Sequence, residues 1–485
     1  MFKFKSKKGS ILAYTLVMIS IVSIILTASL KVVVSNMNYG INRELKEESL
    51  QIAEAGIYFY RWYLAHKVEG LTKSQVNQFW NSGSAYGVSS NYEVDFNGIG
   101  KYSISVVPPE SNSTIVTVES TGWTYRYPTM QRTVKARFRQ PSWSEFSVLC
   151  DSDIRFGAGT DVNGPIHSNG GIRFDGVAHN IISSSLSDYN DPDHGGGNEF
   201  GVHTHVAPTD PLPPNVVPSR TDVFEVGRTF PVATKEFDGV LSDMANMKNE
   251  AGCSNVGSYC AQDNIVVANG IYFNNSDNGR HIILKNDGTM DVSRVLTYDG
   301  SSNGITSESS SNNYVIPDGG VVFVEDNAWI EGQINGEKTT IIASDMSGGS
   351  DKNIFIGNDI LYTNYDGTDI IGLIAQGDIE IIRDSEDDLR IDGALLAQNG
   401  RVGREHYGWY CTAWWWGWCT NWEVDVKNTI TTNGSIATKQ RYGFAYTDNT
   451  GYTNRNLIYD NNLLYYPPPY FPTGTNYAID QWEEI

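Results

Sequence analysis

Positive charge is scarce in this sequence, and so are cysteine, histidine and methionine. Its 485 residues hold 35 Lys+Arg against 56 Asp+Glu, a formal net charge of −21. Phosphate backbones are bound by concentrated cationic faces, so this balance argues against a nucleic-acid partner. Five cysteines in so long a chain exclude a small disulfide-stapled scaffold. Charged residues are 19% and hydrophobic ones 40%, which excludes disorder of the whole. Eight methionines beside 47 glycines and 12% aromatic residues point to a turn-rich, mainly β chain. The length implies two to four domains. No Gly-x-Ser-x-Gly, Walker or dinucleotide-binding pattern stands in a supporting context, so no catalytic residue is assigned.

The charge that is present is unevenly spread. Residues 1–70 carry nine Lys/Arg and five Asp/Glu, a net of +4, which leaves −25 on the remainder. Lys3, Lys5, Lys7 and Lys8 precede an uncharged run over residues 11–30. As a helix that run spans about 30 Å, the thickness of a bilayer core. The lysines before it predict a cytoplasmic N-terminus and a C-terminus outside. Ala28-Ser29-Leu30 is a poor match to a signal-peptidase site, and the helical pattern continues. Val34, Met37, Ile41, Leu45, Ile52, Gly56, Phe59 and Tyr63 recur at helical steps. One helix over residues 10–65 is expected, half in lipid, with Gly40 and Gly56 as points where it could bend.

Lys7-Lys8-Gly9-Ser10 before an apolar helix resembles the start of a type IV prepilin. Ala53-Glu54-Ala55-Gly56 is similar to a segment of PilX-like minor pilins. The resemblance covers residues 1–70. It implies a leader over residues 1–9, with Gly9 its last residue and Ser10 the methylated mature N-terminus. The implied partners are a prepilin peptidase, the cytoplasmic membrane and other pilins, which the helix joins in a filament. Tyr14 stands where major pilins carry Glu, which favours a minor subunit. An uncleaved membrane anchor is the alternative.

Residues 71–141 read as an antiparallel sheet with strands near 92–96, 101–107, 114–119 and 132–139. In the last, Val134, Ala136 and Phe138 alternate with Lys135, Arg137 and Arg139. A long helix on such a meander resembles the pilin layout. From residue 142 a motif repeats. Gly164 with Ile166, Asn169-Gly170 and Ile172 is matched by Gly372 with Ile374, Gln376-Gly377 and Ile379. A third copy has Gly393, Leu395, Gln398, Gly400 and Val402. Short strands with Gly/Asn corners predict a right-handed parallel β-helix over residues 142–485, with a β-sandwich as the alternative. Five prolines between Pro208 and Pro218 start a stiff crossing, and a helix follows, so an insertion spans about 207–262. The Pro-rich tail 459–485, expected to cap the solenoid, resembles the C-termini of bacterial pilin-like proteins with an uncharacterised β-solenoid region.

Three groups of side chains could carry function. Cys253 with Cys260 and Cys411 with Cys419 close short loops that read as disulfides outside the membrane; their spacing fits no four-cysteine zinc site. Cys150 is left over as a buried thiol. The segment 407–422 holds Trp409, Trp414, Trp415, Trp416, Trp418 and Trp422, six of the 12 tryptophans. Exposed, they would bind a glycan or a host or cell surface; the alternative is that several bury against the solenoid. His167, His179, His194, His203 and His205 lie close to Asp188, Asp191 and Asp193. Calcium or another metal is conceivable there, but the spacing fits no EF-hand and the stretch reads as a polar surface loop without metal. Together these readings describe a structural or adhesive pilus-associated surface protein that is not an enzyme. A membrane-anchored β-helix that binds or cleaves polysaccharide is the alternative.

Overall fold

The computed structural model describes residues 10–485 apart from 69–70, 72, 110–112, 236, 238–239, 256, 276 and 474–476. Gly9, the expected last leader residue, lies outside the described residues. The chain divides into two units. One comprises the chain up to Pro108 with Val116–Arg139 and Tyr477–Ile485; the other is Pro109–Ile115 with Gln140–Asn476.

The first unit opens with a single helix, Ser10–Lys67. Its side chains from residue 11 to 44 are exposed, and this half is long and apolar enough to cross a membrane. From Leu45 onward one face is buried: Leu45, Ser49, Ile52, Ala53, Ile57, Tyr60, Tyr63 and Leu64. These steps of three and four set one stripe against a sheet. Gly56, expected as a bend point, is a contact point instead, and the helix runs unbroken through it and Gly40. A Cβ on Gly56 would lie 2.2 Å from Ser120 Oγ, and one on Gly122 would lie 2.4 Å from the Ser49 carbonyl. Helix and strand therefore approach so closely that only glycine fits.

A short helix, Lys73–Asn81, precedes the sheet. Tyr92–Phe96, Gly100–Val107, Val116–Thr124 and Arg132–Arg139 then pair antiparallel in chain order. Val134, Ala136 and Phe138 are buried, as their alternation requires. A fifth strand, Ala478–Glu484, pairs antiparallel with Arg132–Arg139. The final residues thus do not cap the solenoid, as the Pro-rich tail led us to expect, but complete this sheet. The cause is twofold. The strand 132–139 would otherwise expose an unpaired edge. Its Arg132, Lys135 and Arg137 also find Glu484, Glu483 and Asp480 opposite.

The second unit is a parallel β-solenoid, which rules out the sandwich. Strands from successive coils stack in parallel ladders. One ladder buries a column of aliphatic side chains in continuous register: Ile271, Val322, Ile341, Leu373, Leu395, Ile436, Val148, Ile166 and Ile182. The order is not the chain order. The first coil stacks on the last, because Val148–Cys150 pairs beside Ile436 and Thr160–Asn163 pairs with residues 455–458. The chain enters mid-stack, winds to one end at Arg228–Thr229, and resumes at the other with Gly270–Phe273.

The insertion makes that crossing. Its helix, Val240–Glu250, carries Met244 and Met247, which pack with Phe237 on Leu149, Phe323, Ile342, Ile374 and Leu396. These are the outward side chains of the same ladder. Leu463 and Phe471 of the tail join them. The motif alignment placed Ile374 with Leu395, but the strands register Leu373 with Leu395. A one-residue shift exchanges the faces, so Leu373 enters the inner core and Ile374 the outer one.

Candidate functional site

The tryptophan-rich segment forms a two-stranded antiparallel hairpin, Trp409–Trp415 with Trp418–Val424. Trp415 opposite Trp418 is the last pair, and Trp416 and Gly417 make the turn with φ of 50° and 79°. Two central residues with positive φ match the right-handed twist of a hairpin. Glycine adopts that conformation freely; Trp416 does so with its ring 87% exposed. A bulge falls between Cys411 and Trp414. Trp414 pairs with Cys419 along the backbone, and a Cys411–Cys419 disulfide ties the strands.

The hairpin is held from one face. Asn421 Nδ2 donates to Thr412 Oγ1 at 2.7 Å and to Glu423 Oε1 at 3.2 Å. The Arg383 guanidinium lies 4.9 Å from the Tyr410 ring centre. Trp409, Trp415, Trp418 and Trp422 are all more than half exposed. Large apolar side chains usually bury, so five exposed indoles on one disulfide-tied hairpin make an unusual apolar patch.

Of the other expected residues, Ser10 begins the long helix. Cys253 and Cys260 are joined, with Cys253 buried under the insertion helix. Cys150 is a free, buried thiol whose pKa is raised by loss of water.

The histidine stretch is a surface loop only over residues 192–198; its flanks are buried. After Ile182–Ser184 the chain leaves the stack, and Asp188–Tyr189 pairs antiparallel with Glu199–Phe200. Val202–His203 then adds in parallel to Ile172–Phe174 at the edge of a three-stranded ladder. This path buries Asp191, Glu199 and His203 almost fully, while Asp188 and residues 192–198, His194 and Asp193 among them, stay exposed. Burial, with His205 alongside, holds the His203 imidazole below its ordinary pKa. Asp191, His203 and His205 bring ligand atoms within 4.8 Å of one another, and so do His194, Glu199 and His205. His167 and His179 stand apart, on Ser183 and Glu225.

One carboxyl escaped the sequence reading altogether. Glu380 is buried in the strand Ile379–Ile381, and burial raises its pKa to about 7. Its Oε1 accepts hydrogen bonds from Tyr407 Oη at 2.6 Å and Asn303 Nδ2 at 3.0 Å. Nothing local to Glu380 signals this, since its partners come from other coils.

No family model and no curated protein matches this chain. Among solved structures, that of the competence-associated pilin ComZ from Thermus thermophilus aligns over 91% of this chain and 98% of its own, at 12% identity. The TM-score is 0.32, too low for the likeness to bear on function.

Proposed function

We propose that this chain is a minor pilin or pilus-associated subunit, held in the cytoplasmic membrane before assembly, with its solenoid outside the cell. One observation carries the reading. A single continuous helix is bare over residues 11–44 and uncharged over residues 11–30, yet its second half is clamped onto an antiparallel sheet. A helix apolar on all sides is stable only in lipid or among other such helices. A filament core of like helices supplies the second environment. Prepilin peptidase and other pilins are the partners this implies, with Gly9 and Ser10 flanking the cut. Mass spectrometry of the mature N-terminus tests it. N-methyl-Ser10 is expected, and a mature chain that keeps residues 1–9 overturns it.

In this reading the solenoid is a non-enzymatic spacer that carries the tryptophan hairpin as an adhesive element. The exposed rings present flat apolar faces of the kind that stack on sugars. Binding to a glycan array by the protein, lost on Trp416→Ala with Trp418→Ala, is the expected result. Equal binding by the variant would remove the hairpin from the adhesive role.

A further inference from the structure

The region with the most unanswered polar atoms is the histidine–carboxylate cluster on the excursion before the Pro-rich crossing. Asp191 Oδ2, Glu199 Oε2, His203 Nε2 and His205 Nε2 are buried and have no hydrogen-bond partner. Buried polar atoms are almost always paired, so several orphans at one place call for a missing partner. The distances say what kind. His203 Nε2 lies 3.5 Å from Asp191 Oδ2, His205 Nε2 lies 3.6 Å from Glu199 Oε1, and His194 Nδ1 lies 3.3 Å from that same oxygen. Hydrogen bonds would be nearer to about 2.9 Å. Ligands about 2.0–2.1 Å from a tetrahedral zinc ion stand about 3.3–3.4 Å apart.

We propose that this cluster binds one divalent transition-metal ion of the Zn²⁺ type. His205 is the central ligand, since it belongs to both sets of converging donors. Asp191, His203 and Glu199 approach it from the buried side, and His194 from the rim. Three imidazoles with two carboxylates suit a borderline ion; calcium prefers oxygen alone. The flanking groups are compatible with this chemistry. Asp191 Oδ1 is fixed by the Asp193 backbone N–H at 2.9 Å, which leaves Oδ2 for the ion. Arg173, 3.5 Å from Asp191, is itself engaged by Asp175 at 2.8 Å. The ion would pin the excursion over the edge strand Val202–His203, where the ladder ends. Its role is structural, joining residues from both sides of the turn at 191–198.

The test uses the detergent-solubilised full-length protein, stripped with chelator and dialysed against ZnCl₂. One equivalent of zinc is expected by elemental analysis, with a rise in melting temperature. His203→Gln and His205→Gln are each expected to weaken zinc binding at least tenfold. His281→Gln, at a distant histidine held by Glu308 and Glu331, is expected to bind as before. Uptake by the unmodified protein no greater than by His205→Gln overturns the proposal. So does displacement of zinc by equimolar Ca²⁺. Cobalt gives a readout that needs no variant. An intense visible spectrum of low-coordinate Co²⁺ is expected, and the weak spectrum of the hydrated ion overturns the site.

Discussion

Arg137 grips Asp480 across 343 residues of sequence, with Nε 2.9 Å from one carboxylate oxygen and Nη2 3.0 Å from the other. The two lie on neighbouring antiparallel strands, and Arg132 and Lys135 repeat the pattern with Glu484 and Glu483. A strand with a cationic outward face is completed by one with an acidic face. The sheet under the N-terminal helix is therefore finished only by the last residues of the chain.

Removal of that strand should cost far more than removal of its charges. Asp480→Ala leaves the backbone ladder in place, and a part-exposed ion pair contributes about 1 kcal/mol or less. Deleting Tyr477–Ile485 exposes the edge of Arg132–Arg139 and removes Tyr477 from the core. Amide hydrogen exchange over residues 132–139 checks this. It should rise steeply in the deletion and slightly in Asp480→Ala. Exchanging the two charges, Arg137→Asp with Asp480→Arg, should recover most of the small loss.

Gly122→Ala should be among the most damaging single changes in the first unit. The added Cβ would meet the backbone of Ser49 and Ala53 at 2.4 Å, where no side chain can swing aside. Overpacking of this kind costs about 1–3 kcal/mol. Gly40→Ala is the control, since nothing lies within 4 Å of its added Cβ. Alanine is also the better helix former, by about 0.5–1 kcal/mol. Thermal melts in detergent should separate the two by sign, and two equal losses would refute the close approach.

Glu380 should make the solenoid more stable in acid than at neutral pH. Its carboxyl titrates near 4.5 when unfolded and at about 7 when folded. Below 4.5 both states are protonated and the fold loses nothing. Between 4.5 and 7 the unfolded chain ionises first, so stability falls as pH rises through this window and stays lower above it. At 1.36 kcal/mol per unit the effect is roughly 3 kcal/mol at most. Glu380→Gln keeps an acceptor for Tyr407 and Asn303 without the charge. It should match the parent at pH 4 and exceed it at pH 8 in urea melts. Parallel curves at both pH values would sink the assignment.

The parts legible in the sequence were those written in local periodicity. The step pattern from Leu45 to Tyr63 and the alternation through Val134, Ala136 and Phe138 need only one element to be read. The aliphatic run of each coil announced a parallel stack for the same reason. Its register was harder, because Leu373 and Ile374 are both apolar and both buried, one on each face of the ladder. What escaped was pairing at a distance. Residues 478–484 look like any acidic tail until set beside the cationic strand 132–139. The metal-type cluster was visible as composition, but its burial depends on Val202–His203 docking beside Ile172, which spacing within the loop does not encode.

The two disulfides should differ sharply in how readily they are reduced. Thiol exchange requires a thiolate to reach a sulfur, so access sets the rate. Cys411 and Cys419 are partly open on an exposed hairpin, whereas Cys253 is buried beneath the insertion helix with Met244 and Met247. Mild reductant on the folded protein, followed by alkylation and peptide mapping, should label Cys411 and Cys419 first. Cys253 and Cys150, both buried, should be labelled only after unfolding, and Cys260, half-buried, later than the hairpin pair. The melting temperature of the solenoid should barely move when the hairpin bond opens, because no coil of the stack depends on it. Equal labelling of all five cysteines in the folded protein would mean that the helix does not shield Cys253.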